Sequence, residues 1–314
     1  MYSETVATLL NDLKTHYDGE INVVISGDAS GYLRHEDSQE VIKPDGSIEI
    51  QVTDTTNVDY TLSHELMHMM LQFKNFPQLQ YHLLTGQPQL DDQLYATSTT
   101  LYNTVAHVLV VAWQREHGLI TPEVVDQVTA AFEDAVPAET PDSEELFIFR
   151  VLSLTDHLVF MNGGDEAQQA QWQAAFPVAY PQAKALYQGI IEKAPDTPFA
   201  FRRAAVRLLA DFDTMITRFG YQETNNPEFA TIPPVLSERQ LRLTLNQVFE
   251  LKHSEYRDRD TKERAYVAVG KSDQQNAFVL PLTQAQTTPE AFQQLYQRSL
   301  QDILTAYHLD YAIR

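Results

Sequence analysis

Thr61-Leu62-Ser63-His64-Glu65-Leu66-Met67-His68-Met69-Met70 decides how this chain is read. Residues four apart on an α-helix lie on one face, one turn above the other. His64 and His68 can therefore point at a single metal ion. Glu65, roughly 100° round the helix, reaches a water rather than the metal. Leu62, Leu66, Met69 and Phe73 recur at helical spacing and form an apolar stripe nearly opposite the two histidines. The helix can thus bury one side and present two imidazoles to a cleft. The alternative is a pair of ordinary helical histidines satisfied by structural hydrogen bonds.

Upstream, the chain alternates helix and strand. Val6, Leu9, Leu10 and Leu13 share one side of an amphipathic helix expected over 4–16. Asp18-Gly19 turns the chain. Ile21-Asn22-Val23-Val24-Ile25 reads as a buried strand, ended by Gly27-Asp28-Ala29-Ser30-Gly31. Glu40-Val41-Ile42, Pro44-Asp45-Gly46 and residues 47–52 predict a β-hairpin. In its second strand Ile48, Ile50 and Val52 alternate with polar residues, as in a half-exposed strand. Thr56 with Asp59 resembles a capping box with Asp in place of Glu, and starts the metal helix, expected over 58–73. His35-Glu36-Asp37 gathers metal-capable side chains. Adjacent positions do not share a face, however, and the expectation there is a solvated loop.

Downstream, Pro77 and Thr85-Gly86-Gln87-Pro88 separate the metal helix from a second long helix. It is expected from 91 or 92 to 117, stopped by Gly118, with Asn103 and His107 on one face. Residues 134–143, with Pro137 and Pro141, read as a linker or exposed loop. Helices are expected at 144–161, 165–175, 181–193 and 198–219, the last between Thr197-Pro198 and Gly220, then again at 237–252. Residues 265–269 and 277–280 flank Gly270-Lys271-Ser272-Asp273, a hairpin signal, and Thr287-Thr288-Pro289-Glu290 opens a final helix. The fold class that follows is α+β, mostly helical. A metal-binding part over 1–135 precedes a mainly helical part over 140–314 with a hairpin near 265–282, and the two can pack as one compact unit.

Composition narrows the function. The 43 acidic and 22 basic residues of the 314-residue chain give a formal charge of -21, which repels nucleic acid and anionic membrane surfaces. Arg202-Arg203 with Arg207 is too short a basic patch to reverse this and is expected to be a solvated face. There are no cysteines, so disulfides, thiolate metal sites and cysteine nucleophiles are excluded. Met1-Tyr2-Ser3-Glu4-Thr5 shows no secretory pattern, and the apolar run 107–113 is too short to span a bilayer. The expected setting is cytoplasmic.

A helix, a small twisted sheet with a partly exposed strand, then His-Glu-x-x-His is an order in which the chain resembles the zincin metallopeptidases. The likeness covers residues 1–120 and is carried by His64, Glu65 and His68; the helical remainder resembles the gluzincins. It implies a zincin-like N-terminal part, its small twisted sheet packed on the metal helix, and a zinc ion with three protein ligands and an open position. It also implies a peptide or protein substrate that pairs with an edge strand, for which residues 47–52 are the candidate. The third ligand is open. The metzincin pattern needs a glycine at position 71 and a histidine at 74, where this chain has Leu71 and Lys74. No thermolysin-type Asn-Glu segment is found. His107 is the strongest candidate on the next helix, with Asn103 as a possible partner to it. Asp91, Asp92 and Glu116 are alternatives, as is no third protein ligand. Glu65 would serve as general base toward a metal-activated water, and His157, Tyr95 or Tyr102 as oxyanion stabiliser. The chain has looser likenesses to the ImmA/IrrE type and to bacterial proteins labelled IpaB/EvcA family, from which no mechanism follows. The function expected is that of a zinc metallopeptidase. The alternative is a non-enzymatic zincin-like protein that keeps its metal for structure or works as a regulatory interaction module.

Overall fold

Ser3 opens the first helix in the computed structural model, which describes residues 2–283 and 286–314. The Ser3 hydroxyl accepts from the Val6 N–H, and α1 (Glu4–Lys14) buries Val6, Leu9, Leu10 and Leu13. β1 (Ile21–Ile25), β2 (Ser38–Ile42) and β3 (Ile48–Val52) form a three-stranded sheet with β3 in the middle, parallel to β1 and antiparallel to β2. The predicted hairpin is β2–β3. Residues 47–52 are therefore not an edge strand. Alternation along β3 reports that one face is buried, and it says nothing about how many neighbours the strand has. The edges of the sheet are β1 and β2. Gly27, just past β1, has φ +80°, and a Cβ there would sit 2.0 Å from the Thr53 carbonyl oxygen. Only glycine lets these two strand ends approach so closely.

α2 (Val58–Phe73) has the bounds expected. Its cap is Asn57, whose side chain accepts from the Tyr60 N–H at 3.0 Å. Thr56 and Asp59 do not form the predicted box: the Thr56 hydroxyl accepts from the Gly31 N–H, and Asp59 accepts from the Ser3 N–H. Leu62, Leu66 and Met69 are buried, and Phe73 stacks on Tyr17 at 5.6 Å. Burial extends round the helix to Ser63, His64, Met67 and Met70, so α2 lies in the middle of its part of the structure and not on a flank.

α3 (Pro88–Glu116), α4 (Pro122–Ala135), α5 (Phe147–Phe160), α6 (Glu166–Ala175) and α7 (Ala179–Ile191) follow. α4, absent from the sequence expectations, is capped by Thr121 with Pro122 at its start. The chain condenses into two compact units: residues up to Lys74 with Ala106–Tyr187, and Asn75–Val105 with Gln188–Arg314. The boundaries fall after Lys74, inside α3 and inside α7. Residues 134–143 lie within the first unit. There the buried Arg150 of α5 donates to the carbonyls of Pro137, Ala138 and Ser143, which ties the irregular segment down. In the same unit the fully buried Gln114 of α3 donates to the Tyr60 carbonyl and the Ser63 hydroxyl, both at 2.9 Å, locking α3 to α2. Tyr60 meets Phe160 edge-on at 6.3 Å.

The second unit holds β4 (Leu83–Leu84), α8 (Pro198–Arg218), α9 (Asn226–Phe229), β5 (Val235–Leu236), α10 (Glu238–Leu241), α11 (Leu245–Val248), β6 (Phe249–Asp258), β7 (Arg264–Gly270), β8 (Asn276–Leu280), α12 (Pro289–Gln297), α13 (Leu300–Ala306) and β9 (Ala312–Ile313). β4-β6-β7-β8 make an antiparallel sheet. The predicted hairpin is β7–β8. The helix expected over 237–252 is instead two single-turn helices and the start of β6, because residues 249–253 find ladder partners on β7. Arg202 is no solvated residue: it is buried, donates to the Pro233 carbonyl and pairs with Asp273. Among the described residues, no helix is long and apolar enough to cross a membrane.

Candidate metal centre

Four segments of the first unit converge on one point. α2 carries His64, Glu65 and His68, α3 carries His107, α5 carries Asp156, and a 3-10 turn (His35–Asp37) ahead of β2 carries His35. Nε2 of His64 and Nε2 of His68 are 3.1 Å apart. Two nitrogens at about 2.0–2.1 Å from a tetrahedral zinc are separated by roughly 3.3 Å, so the helix alone nearly sets the spacing of two ligands. The His107 ring centre lies 4.8 Å from that of His64 and 5.2 Å from that of His68. One ring nitrogen each from His35, His64 and His107 lie within 4.8 Å of one another. The His64 ring is not tied into the core: its buried Nδ1 has no hydrogen-bond partner, and its Nε2 meets His68.

Asp156 orders two of these rings with its two oxygens. Oδ1 accepts from Nδ1 of His107 at 2.5 Å, and Oδ2 accepts from Nε2 of His35 at 2.9 Å. Nε2 of His107 and Nδ1 of His35 are the nitrogens left to coordinate. A carboxylate behind a histidine selects its tautomer and makes it a better ligand. The partner of His107 is thus Asp156 and not Asn103.

Electrostatics suit a cation. Burial first, then the neighbouring rings, hold His64 well below the ordinary imidazole range. Burial, followed by His107, takes His68 down to about 3. Burial also lowers His107 against the pull of Asp156. All three are neutral at pH 7, the form that binds metal. Burial alone would raise the Asp156 carboxyl; the contacts to His107 and then His35 outweigh it and hold the group well below the usual carboxylate range. For His35, desolvation lowers the value, and the Asp156 hydrogen bond, the Asp156 charge and the charges of Glu36 and Glu65 together outweigh it, so this imidazole is raised. His35 is also the outermost ring, its side chain 55% exposed. The lowered imidazoles of His64, His68 and His107 beside the half-buried Asp156 carboxylate, without thiolates, make a donor set that fits zinc or a similar divalent ion.

Glu65 lies on the same helix, and its Oε1 accepts from the Ser38 hydroxyl at 2.9 Å. Burial raises its carboxyl, with Ser38 opposing, which is the direction a general base needs. Ser38 is the first residue of β2, three positions after His35, so one short segment serves both the histidines and the glutamate.

The rings of the expected ligands His64, His68 and His107 lie 4.8–5.2 Å apart centre to centre, whereas the three residues whose ligand atoms all lie within 4.8 Å of one another are His35, His64 and His107. Other candidates are engaged elsewhere. His157 stacks on Phe132 at 4.2 Å and meets Trp172 edge-on at 5.5 Å. In the second unit, Tyr102 donates to the Pro77 carbonyl, Tyr95 to the Leu83 carbonyl, and Asp91 accepts from the Thr85 N–H. Asp92 and Glu116 are exposed. Sequence reasoning missed His35, Ser38 and Asp156. The solvated loop expected at 35–37 is a 3-10 turn with a buried Asp37. Asp156 entered only as the neighbour of His157, and α5 turns the two toward different surroundings. Comparison of the chain with protein-family models, with curated proteins and with solved structures finds no match, so function is argued from the site itself.

Proposed function

We propose that this chain is a zinc-dependent metallopeptidase, with His64, His68 and His107 holding the ion and Glu65 acting as general base. The observation that supports this most is the convergence of three neutral imidazoles from two helices, with Asp156 behind one of them and Glu65 one residue from another. When bound, zinc supplies a Lewis acid that polarises a carbonyl and makes water more acidic. The chain's own groups do the rest. Glu65 takes a proton from the attacking water and delivers it to the leaving amine. Ser38 orients Glu65, and Asp156 orients His107. Within its sheet β2 has a neighbour on one side only, and an extended peptide pairing with its other edge would run past Ser38 and Glu65. The substrate class is accordingly a peptide or protein, and the setting proposed is cytoplasmic.

The test has two parts. Metal analysis of protein purified without a histidine tag should find one zinc per chain. A peptide library should then be cleaved by the native protein and not by Glu65→Gln, which keeps the zinc and loses at least about 100-fold in rate. Zinc with no cleavage, and a Glu65→Gln variant whose cellular effect is unchanged, would establish the metal-holding interaction module instead. Absence of zinc from the native protein would defeat both.

A further inference from the structure

The turn that carries His35 is built into the fold. The Asp37 carboxylate accepts from the Arg34 N–H at 2.7 Å, and the Asp37 carbonyl accepts from the Thr53 N–H at 2.8 Å, pinning the turn to the end of β3. His35 is thus delivered to the histidine cluster by backbone position and not by a wandering side chain. Its ring centre is 4.5 Å from that of His107 and 5.0 Å from that of His64. His64–His68 at 4.8 Å, His64–His107 at 4.8 Å and His68–His107 at 5.2 Å fall in the same range. His35 thus joins the cluster on the side of His64 and His107, and one of its ring nitrogens lies within 4.8 Å of a ring nitrogen of each. Imidazoles bound through nitrogen to one tetrahedral zinc have ring centres roughly 5 Å apart. His35 also shares with His107 the feature that marks a ligand, a hydrogen bond from its second nitrogen to a carboxylate, here the other oxygen of the same half-buried Asp156.

Resting on the metal site proposed above, we propose that His35 is a fourth imidazole ligand. In the resting protein it closes the ion, and it must swing away before a peptide carbonyl can take its place. Four protein ligands leave a tetrahedral ion no open position, whereas three leave one. Of the four histidines, His35 is the one that can leave at small cost: it sits on a short turn at the surface, while His64 and His107 are buried on long helices. The site is then self-capped, and its turnover is set by how readily the exposed His35 side chain rotates away from the pinned turn.

Cobalt titration of the full-length apo-protein tests this without reference to catalysis. The native chain should bind one Co(II) with the visible absorption of a tetrahedral nitrogen site, unchanged by millimolar imidazole. His35→Ala should bind at least about 10-fold more weakly, and added imidazole should restore the native spectrum by filling the gap. His35→Gln, whose amide can keep the Asp156 hydrogen bond, should behave like His35→Ala and guards against a merely disordered turn. Circular dichroism checks that both variants fold. Equal affinity and identical spectra in native and variant proteins would overturn the role of His35 while leaving the three-histidine site standing. A native spectrum that responds to imidazole as the variants do would overturn it too. If the native chain takes up no cobalt, this proposal falls together with the metal site on which it rests.

Discussion

At the scale of single residues, Asp156 holds the site together. It is the acceptor for both His107 and His35, and under the proposed function it would be the anion that offsets the cation. Asp156→Asn keeps the size, removes the charge and replaces one acceptor with a donor. Metal affinity should fall about 10- to 100-fold, measured by competition against a chromophoric chelator. Its neighbour His157 offers a separate test. Burial takes His157 from 6.5 down to about 4, and its Nε2 is buried without a partner. A depressed folded-state value means that the neutral form is the one that folds. The stabilising contribution is complete above pH 6.5 and is lost as the pH falls toward 4. At about 1.4 kcal/mol per pH unit this amounts to roughly 3 kcal/mol. His157→Phe, which preserves the stack on Phe132, should remove that part of the acid sensitivity. Urea unfolding at pH 7.5 and pH 4.5 reads it out: the gap in stability between the two pH values should narrow in the variant, and an unchanged gap would count against the assignment.

At the scale of elements, two segments set the site. α2 supplies His64, Glu65 and His68 in fixed register, and the turn with β2 brings His35 and Ser38 to it. The bend before that turn depends on Gly27, where φ is positive and a Cβ would meet the Thr53 carbonyl oxygen at 2.0 Å. Gly27→Ala should destabilise by about 1–3 kcal/mol through strain and displaced backbone, visible as a lower midpoint in denaturant unfolding. Elements were legible in the sequence where local pattern and tertiary setting agree. α2 has its expected bounds because its apolar spacing begins right after a run of cap-forming residues, of which Asn57 and not Thr56 takes the role. β3 is central where an edge is expected, because alternation identifies a buried face but not the partners along each side. Residues 249–253 became strand because β7 offered a ladder that outweighed local helical pattern.

At the scale of the whole molecule, the division into units carries a prediction. The expected boundary near 135–140 lies inside the first unit, and α5, which bears Asp156, comes after it. A fragment of residues 1–135 keeps His35, His64, Glu65, His68 and His107 but lacks Asp156, Phe160 and Arg150. It should lose the cooperative unfolding transition of the full chain and bind zinc at least about 10-fold more weakly, as circular dichroism and metal titration would show. Native-like folding and affinity in that fragment would mean that α5 contributes little to the site.

The sequence by itself determined the pair of histidines, the glutamate beside them and the helix that presents them, because an i, i+4 relation is local and is satisfied wherever the helix forms. It also determined most helix positions, through caps, glycines and apolar spacing. Only the tertiary structure decided that His107 faces this pair, that Asp156 stands behind it, and that a turn with no distinguishing pattern brings His35 to the same point. These residues are separated by up to 121 positions. Their meeting depends on how α2, α3 and α5 pack together through contacts such as Gln114 with Ser63 and Tyr60 with Phe160, and no period in the sequence encodes such contacts.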